Sequence, residues 1–335
     1  MNKNLLSMQI DPEMFKPVPK EERVQLAVMR PSTTYWQDAG RRLRRNKVAM
    51  ASIAIILFVF LFAFAGPYIM EATTGYTYEE QIREDVDQAP SAKHWMGTDG
   101  LGRDLMVRVM VGTRISLTVG LVATFIILII GTLYGAIAGL AGGIIDNVMM
   151  RFVEILYSVP DILIVILLSV TLKDPLTALF ESGGFLSGLA GIGPGLISIF
   201  ITFALLYWVG MARMVRGQVM QIREQEFVTA ARALGASNRR IILRHLIPNS
   251  IGPIIVTATF QIPSAIFVES FLSFIGLGVS APLASLGSLA SDAMNGVYSY
   301  PYRLLFPSLL IALIILAFNQ LGDGLRDALD PKMKK

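Results

Sequence analysis

Cysteine is missing from all 335 residues. No disulfide can staple a loop, no thiolate can hold a metal, and no cysteine can act as a nucleophile. Histidine is almost missing. His94 and His245 stand 151 positions apart, so neither a histidine metal cluster nor a cofactor is expected. Charge is scarce as well: 16% of residues are charged and 53% are hydrophobic, against roughly 25% charge in an ordinary soluble domain. A phosphate loop is also lacking. GTDGLGRD, Gly97–Asp104, has the glycines, but no strand leads into it and no Lys–Ser/Thr follows, and those are the parts that hold phosphate. With a net charge of only +4, no nucleic-acid partner is expected.

What the chain does have is apolar runs. Stretches of about 18 or more apolar residues read as membrane-spanning helices. Six are predicted: Val48–Ala65, Ile115–Leu140, Val148–Leu172, Leu196–Met214, Ile251–Phe274 and Leu304–Leu321. The third and fifth are the least uniform, because Arg151, Glu154 and Asp161 mark one and Gln261, Pro263 and Glu269 the other. The first run has no small-residue cleavage site and 47 residues before it, so a retained span rather than a signal peptide is expected.

Lys and Arg set the expected orientation. The segments before the first span, after the second, between the fourth and fifth, and after the sixth hold 22 of them, and the opposite segments hold 7. Both termini are therefore expected in the cytoplasm, with the acidic loop from about Tyr68 to Arg114 outside. Residues 1–40 read as a polar, proline-punctuated cytoplasmic tail. Within the outer loop, Arg103, Asp104, Arg108 and Arg114 are expected to pair among themselves.

Two features stand out inside the spans. Gly131, Gly135, Gly139 and Gly143 recur every fourth residue, which gives a helix a ridge that another backbone can approach closely. Plain helix packing explains it, and so does a moving gate surface. Glu269 is costly against lipid, roughly 2.5–3.5 kcal/mol on insertion scales. It should face protein, water or the outer interface, as a gate or an external contact. SFIGLGVSAP, with Gly276 and Gly278, should end that helix.

TAARALGASNRRIILRHLIP, Thr229–Pro248, is the charged segment between the fourth and fifth spans. Phe227, Ala230, Ala231 and Leu234 follow the i, i+3, i+4, i+7 spacing of an apolar helix stripe. The two alanines keep it shallow, so a broad surface can press on it. Gly235 suits a left-handed hinge, and Ser237 or Asn238 suits the cap of a second helix. That helix carries Arg239, Arg240 and Arg244, with Ile241, Ile242 and Leu246 for packing. Pro248 should break it. A basic helix lying on anionic lipid is the alternative reading; the small residues at the apex suit a protein groove better.

AAxxxG followed by nine residues and HLIP resembles the "EAA" loop of ABC-importer permeases. It is most similar to the C-type permease subunit of oligopeptide and dipeptide importers. Ala230, Ala231, Gly235 and Pro248 fall on the motif, and His245, Pro248 and Asn249 resemble the HxxPN of the peptide branch. Thr229 stands where many members have Glu, and His245 where many have Ile. WMGTDGLGRDLMVRVMVGTRISLTVG (Trp95–Gly120), AIFVESFLSFIGLGVSAP (Ala265–Pro282) and GDGLRDALDP (Gly322–Pro331) are similar to the same branch. Leu286 departs from it, standing where SWG is usual.

The resemblance implies an all-α polytopic membrane protein with six transmembrane helices and a type I ABC importer transmembrane fold. It implies a first helix and outer segment over 41–112, a transmembrane domain over 113–323 with a coupling loop at 226–249, and a cytoplasmic tail over 324–335. It implies a permease subunit that moves peptides across a bacterial cell membrane, with nickel chelates or other small solutes as the alternative cargo. Implied partners are a B-type permease, two cytoplasmic ATPase subunits and an extracytoplasmic peptide-binding protein. ATP hydrolysis would occur in the ATPases, so this chain is not expected to be an enzyme. Phe227, Ala230, Ala231, Leu234, Gly235, Arg239, Arg240, His245 and Pro248 would be the coupling residues.

Two readings from other classes are disfavoured by the residues themselves. A membrane-embedded protease needs a nucleophile with its base; Ser264, Ser270 and Ser273 lie near Glu269, but no histidine lies on that side of the membrane within the fifth or sixth span. A self-sufficient secondary transporter would show an inverted repeat, and the basic hairpin has no counterpart after the second span.

Overall fold

A computed structural model describes residues 34–181, 193–279 and 283–330. Among these the chain is helical, with one isolated bridge between Thr98 and Asp104 in place of any strand. Six helices are long and apolar enough to cross a membrane.

The chain starts at what we term the hairpin end of the bundle. Helix α1 (Tyr35–Arg45) begins there at a capping box: Thr34 Oγ accepts from the Gln37 amide, and the Gln37 side chain accepts from the Thr34 amide at 3.1 Å. The expected tail of residues 1–40 is thus already helical from Tyr35, a start that the T-x-x-Q spacing signals; residues 1–33 lie outside the described residues. Asn46 then caps α2 (Lys47–Phe64), accepting from the Val48 and Ala49 amides at 3.1 Å. Helix α3 (Gly66–Thr74) follows at the opposite, long-loop end.

Helix α4 (Leu105–Ala141) is 37 residues long. It begins ten residues before the predicted span, because Asp104 caps it by accepting from the Val107 amide at 2.9 Å. Arg108 and Arg114 hid this start from a hydropathy reading. The predicted third span, Val148–Leu172, is broken. Helix α5 (Gly143–Ser158) stops at Val159, which the following Pro160 holds extended (ψ 136°), and α6 (Asp161–Glu181) starts afresh. A residue before proline avoids helical geometry, so the break is local in origin.

The fourth span, Pro194–Ile222, is α7, with one wide π turn at Phe203–Tyr207. Two short helices follow, α8 (Glu226–Ala233) and α9 (Asn238–Ile241). Helix α10 (Ile251–Phe274) returns to the long-loop end, where α11 (Leu286–Ala293) lies. Helix α12 (Tyr302–Leu329) comes back and meets α1: the Tyr35 hydroxyl donates to the Leu329 carbonyl at 2.8 Å.

Among the described residues the two largest of four apolar clusters hold the bundle together. One joins α4, α7 and α10 through residues such as Ile127, Met211, Val215 and Ile254. The other joins α2, α4, α10 and α12 through Val59, Leu117, Ile266 and Ile314. The glycine ridge sits in the first. A methyl on Gly131 would come within 2.6 Å of the Met211 Cβ, one on Gly139 within 2.9 Å of Val219, and one on Gly135 would run into the Ala212 carbonyl. These three glycines are what let α4 and α7 pack backbone to backbone. Gly143 is the correction to the expected ridge: α4 ends at Ala141, and among the described residues nothing lies within 4 Å of where its side chain would be.

Candidate functional site

The segment between α7 and α10 is rooted from below and bare above. Val228 of α8 and Ile241 and Leu246 beyond it are fully buried in the α4–α7–α10 core. The residues of the apolar stripe point the other way. Leu234 is 89% exposed and Phe227 43% exposed; Ala230 is exposed and Ala231 half-buried. The stripe is therefore not the face that packs α8 onto the bundle. Val228, one residue off the stripe, does that.

The turn at the apex follows from glycine. Gly235 takes a φ of +81°, a left-handed conformation that side-chain-bearing residues rarely adopt. Its amide donates to the Arg232 carbonyl and the Ala236 amide to the Ala231 carbonyl, both at 3.0 Å, closing the helix end. Of the two candidate caps, Ser237 serves: its hydroxyl accepts from the Arg240 amide at 3.4 Å. Arg239 and Arg240 are exposed on the same apex. His245, half-buried, sets its ring 6.2 Å from that of Phe227.

Pro248 does not break the helix outright as expected. A π turn at Ile242–Leu246 widens the backbone before it, the Ile247 amide donating to Ile242. The Asn249 side chain donates to the His245 carbonyl at 2.6 Å. Pro248 thus sits exposed in a short turn, Ile247–Asn249, directly below α10.

The base of the hairpin is locked to its neighbours. Arg216 of α7 grips Asp146 of α5 through both carboxylate oxygens, at 2.5 and 2.6 Å. Arg223 donates to the Gly139 carbonyl at 2.9 Å. Paired, planar contacts of this kind fix orientation as well as distance. Neither pair was foreseen, since its members lie 70 and 84 positions apart in the chain. A force on the hairpin would reach α4, α5 and α7 together.

Glu269 is at the other end of α10 and is fully buried. Its carboxylate accepts from Ser116 of α4 at 2.8 Å and from Ser273 at 2.7 Å, with Ser270 at 3.4 Å. Protein, not water or lipid, surrounds it. Gly276 (φ +83°) ends α10, and Gly278 then folds back against Ser273, whose hydroxyl also accepts from the Val279 amide at 3.1 Å. Ser116 further accepts from the Leu286 amide at 3.3 Å, tying α11 into the same cluster. Glu269, Gly276 and Gly278 are therefore one knot; it is separate from the hairpin by the length of α10, about 36 Å at 1.5 Å per residue.

Beyond that knot the long loop pairs most of its own charges and is tied to α12, the Tyr302 hydroxyl donating to the Gln88 carbonyl at 2.8 Å and Arg303 Nε to the Thr98 carbonyl at 3.2 Å. The arginines do not pair with Asp104 as expected. Asp99 takes both: Arg103 Nε at 2.8 Å, Arg108, and the Leu101 and Arg103 amides besides. Asp104 turns to His94 Nδ1 at 2.8 Å, and Asp85 meets the other ring nitrogen at 3.2 Å. Arg114 stands outside this set. Burial alone would raise the Asp99 carboxyl; Arg108, helped by the two amides, outweighs it and holds Asp99 below the usual aspartate value. The Lys93 ammonium, 2.5 Å away, likewise lowers Asp85.

Six membrane-crossing helices and a rooted hairpin with its apolar face unfinished define a class: an all-α, multi-pass membrane subunit of a larger transporter. The chain belongs to the family of binding-protein-dependent transport system inner membrane components, which matches residues 131–335. Residues 34–90 match the N-terminal transmembrane domain of oligopeptide transport permease C. A dipeptide transport system permease protein, DppC, of Bacillus subtilis is 45% identical over 98% of this chain and 95% of its own length. An oligopeptide transport system permease protein, OppC, of the same organism is 42% identical over 97% and 99%. The OppC of Escherichia coli K12 is 41% identical over 89% and 91%. Among solved structures, the methionine ABC transporter MetNI in inward-facing form matches 68% of this chain and 96% of its own, with a TM-score of 0.50 and 20% identity. That likeness is one of fold: the type I ABC importer membrane domain.

Proposed function

We propose that the protein is the permease subunit of an ATP-driven importer that carries peptides across the cytoplasmic membrane of a bacterium. Relatives named as dipeptide and oligopeptide permeases, at 42–45% identity over almost the whole chain, support the cargo class. The excess of Lys and Arg, 22 against 7, supports a cytoplasmic hairpin and cytoplasmic termini. Its partners are a second, B-type permease, two cytoplasmic ATPase subunits and an extracytoplasmic peptide-binding protein.

The observation that carries the coupling role is the bare stripe. Phe227, Ala230 and Leu234 are held outward by a buried Val228, and a shallow, small-residue face of this kind accepts a broad protein groove. Each ATPase closes around ATP and opens after hydrolysis. A hairpin gripped differently in the two states receives work from that cycle. The Asp146–Arg216 and Arg223–Gly139 contacts pass the motion to α4, α5 and α7.

The test is replacement of Gly235 by a bulky residue in the assembled transporter. None of the described residues lies within 4 Å of the added Cβ, but the left-handed backbone and the groove would both resist it. Peptide uptake and ATPase co-purification should fall together. Normal uptake and normal assembly would contradict the coupling role.

A further inference from the structure

The break between α5 and α6 faces a cavity that the hairpin and the Glu269 knot leave unexplained. Its volume is about 480 Å³, and Tyr157, Asp161, Tyr207 and Gln261 are among its lining residues. The Tyr207 hydroxyl donates to an Asp161 carboxylate oxygen at 3.3 Å. Asp161 opens the membrane-crossing segment Asp161–Phe180, is exposed in this chain, and pairs with no lysine or arginine among the described residues. An ionisable group beside a cavity between membrane-crossing helices marks a pathway or a partner.

A second cavity, about 570 Å³, has Arg151, Glu154, Arg213 and Arg216 among its lining residues. Arg213 also reaches Tyr157, which lines the first. Its guanidinium lies 4.1 Å from the centre of the Tyr157 ring, and no carboxylate holds it among the described residues. Arg216 by contrast is already occupied by Asp146. Tyr207 and Arg213 are six positions apart on one helix, about 9 Å of rise. An extended tripeptide places its ammonium and carboxylate about 10 Å apart.

We propose that Asp161 and Arg213 are paired stations on the peptide's route, Asp161 receiving the terminal ammonium and Arg213 the terminal carboxylate, with Tyr157 and Gln261 lining the passage between. This rests on the peptide-importer reading and names the residues of this chain that touch the cargo. The opposed, uncommitted charges argue for a zwitterion over an apolar occupant.

The test uses the complete transporter with its ATPases, second permease and binding protein, reconstituted in vesicles, with radiolabelled trialanine as the probe. Asp161→Asn and Arg213→Gln should each lower uptake about tenfold, the loss of one charge-assisted contact. Assembly and binding-protein-stimulated ATP hydrolysis should persist, and Asp161→Glu and Arg213→Lys should recover part of the loss. A photoreactive phenylalanine at Tyr157 should label trialanine during turnover. Unchanged uptake in both neutral variants would overturn the proposal. So would loss of assembly with labelling confined to the second permease, which would make Asp161 and Arg213 subunit contacts. Failure of the peptide-importer reading itself would be visible in the unsubstituted transporter, as no uptake of trialanine.

Discussion

The two ends of the bundle handle their charged, short-helix segments in opposite ways. At the long-loop end, Asp99, Arg103 and Arg108, with Asp85, His94 and Asp104, bury and pair their charges within the chain. At the hairpin end, the apex arginines Arg239 and Arg240 stay exposed, with no ion pair among the described residues, and Leu234 and Phe227 point outward. One segment is finished by its own contacts. The other is rooted by Val228, Ile241 and Leu246 and otherwise waits for a partner. Substitutions should therefore damage folding at the first end and assembly at the second.

The largest effect is expected at Asp99. Asp99→Ala leaves a nearly buried Arg108 with only its longer, 3.7 Å contact to the exposed Asp292, and removal of one member of a buried pair costs about 3–5 kcal/mol. Thermal unfolding of the purified chain in detergent should register it. The same carboxylate sets a pH dependence. Its folded pKa is depressed, so its stabilisation is complete above the ordinary aspartate value and is lost as pH falls below about 4. Acid should loosen the long loop in the natural protein, and Asp99→Ala should lose part of that sensitivity, the part left being that of Asp85, which is lowered too.

Next comes the seam that joins the two ends. Gly135→Leu forces a side chain into the Ala212 carbonyl and should cost about 1–3 kcal/mol as α4 and α7 separate. The same change at Gly143, where none of the described residues lies within 4 Å, should strain its left-handed backbone (φ +55°) but leave the α4–α7 seam intact. Smaller again, and different in kind, is Leu234→Ser. It should leave the melting temperature of the isolated chain unchanged, because the side chain is already exposed. It should weaken ATPase co-purification about tenfold, the equivalent of losing one leucine from a buried contact. Ser237→Ala removes a single long cap bond and should cost roughly 0.5–1 kcal/mol, read as faster hydrogen exchange at Arg240.

Much of this division was legible in the residues. The apolar runs gave the right number of spans and located five of them, Ile251–Phe274 to the residue, because lipid demands long uninterrupted hydrocarbon; the third was misplaced across a break. The stripe, the Gly235 hinge and the Ser237 cap were legible because each depends on neighbours within a few positions. What stayed hidden was long-range. Nothing local tells Ser116 that it will meet Glu269, 153 positions on, or Asp146 that it will meet Arg216. The choice of Asp99 over Asp104 by the arginines was decided by the turn at Gly102 and by His94 claiming Asp104. The break at Val159–Pro160 was written in the sequence and concealed by averaging hydropathy across it.

The chain's lack of cysteine makes the decisive measurement clean. A single Leu234→Cys, in membranes that hold the whole transporter, can be paired with single cysteines placed across the ATPase surface. The account predicts an ATPase crosslink whose yield changes between ATP-bound and nucleotide-free states. Modification of Leu234→Cys by lipid-borne reagents alone, with no ATPase adduct in either state, would contradict it.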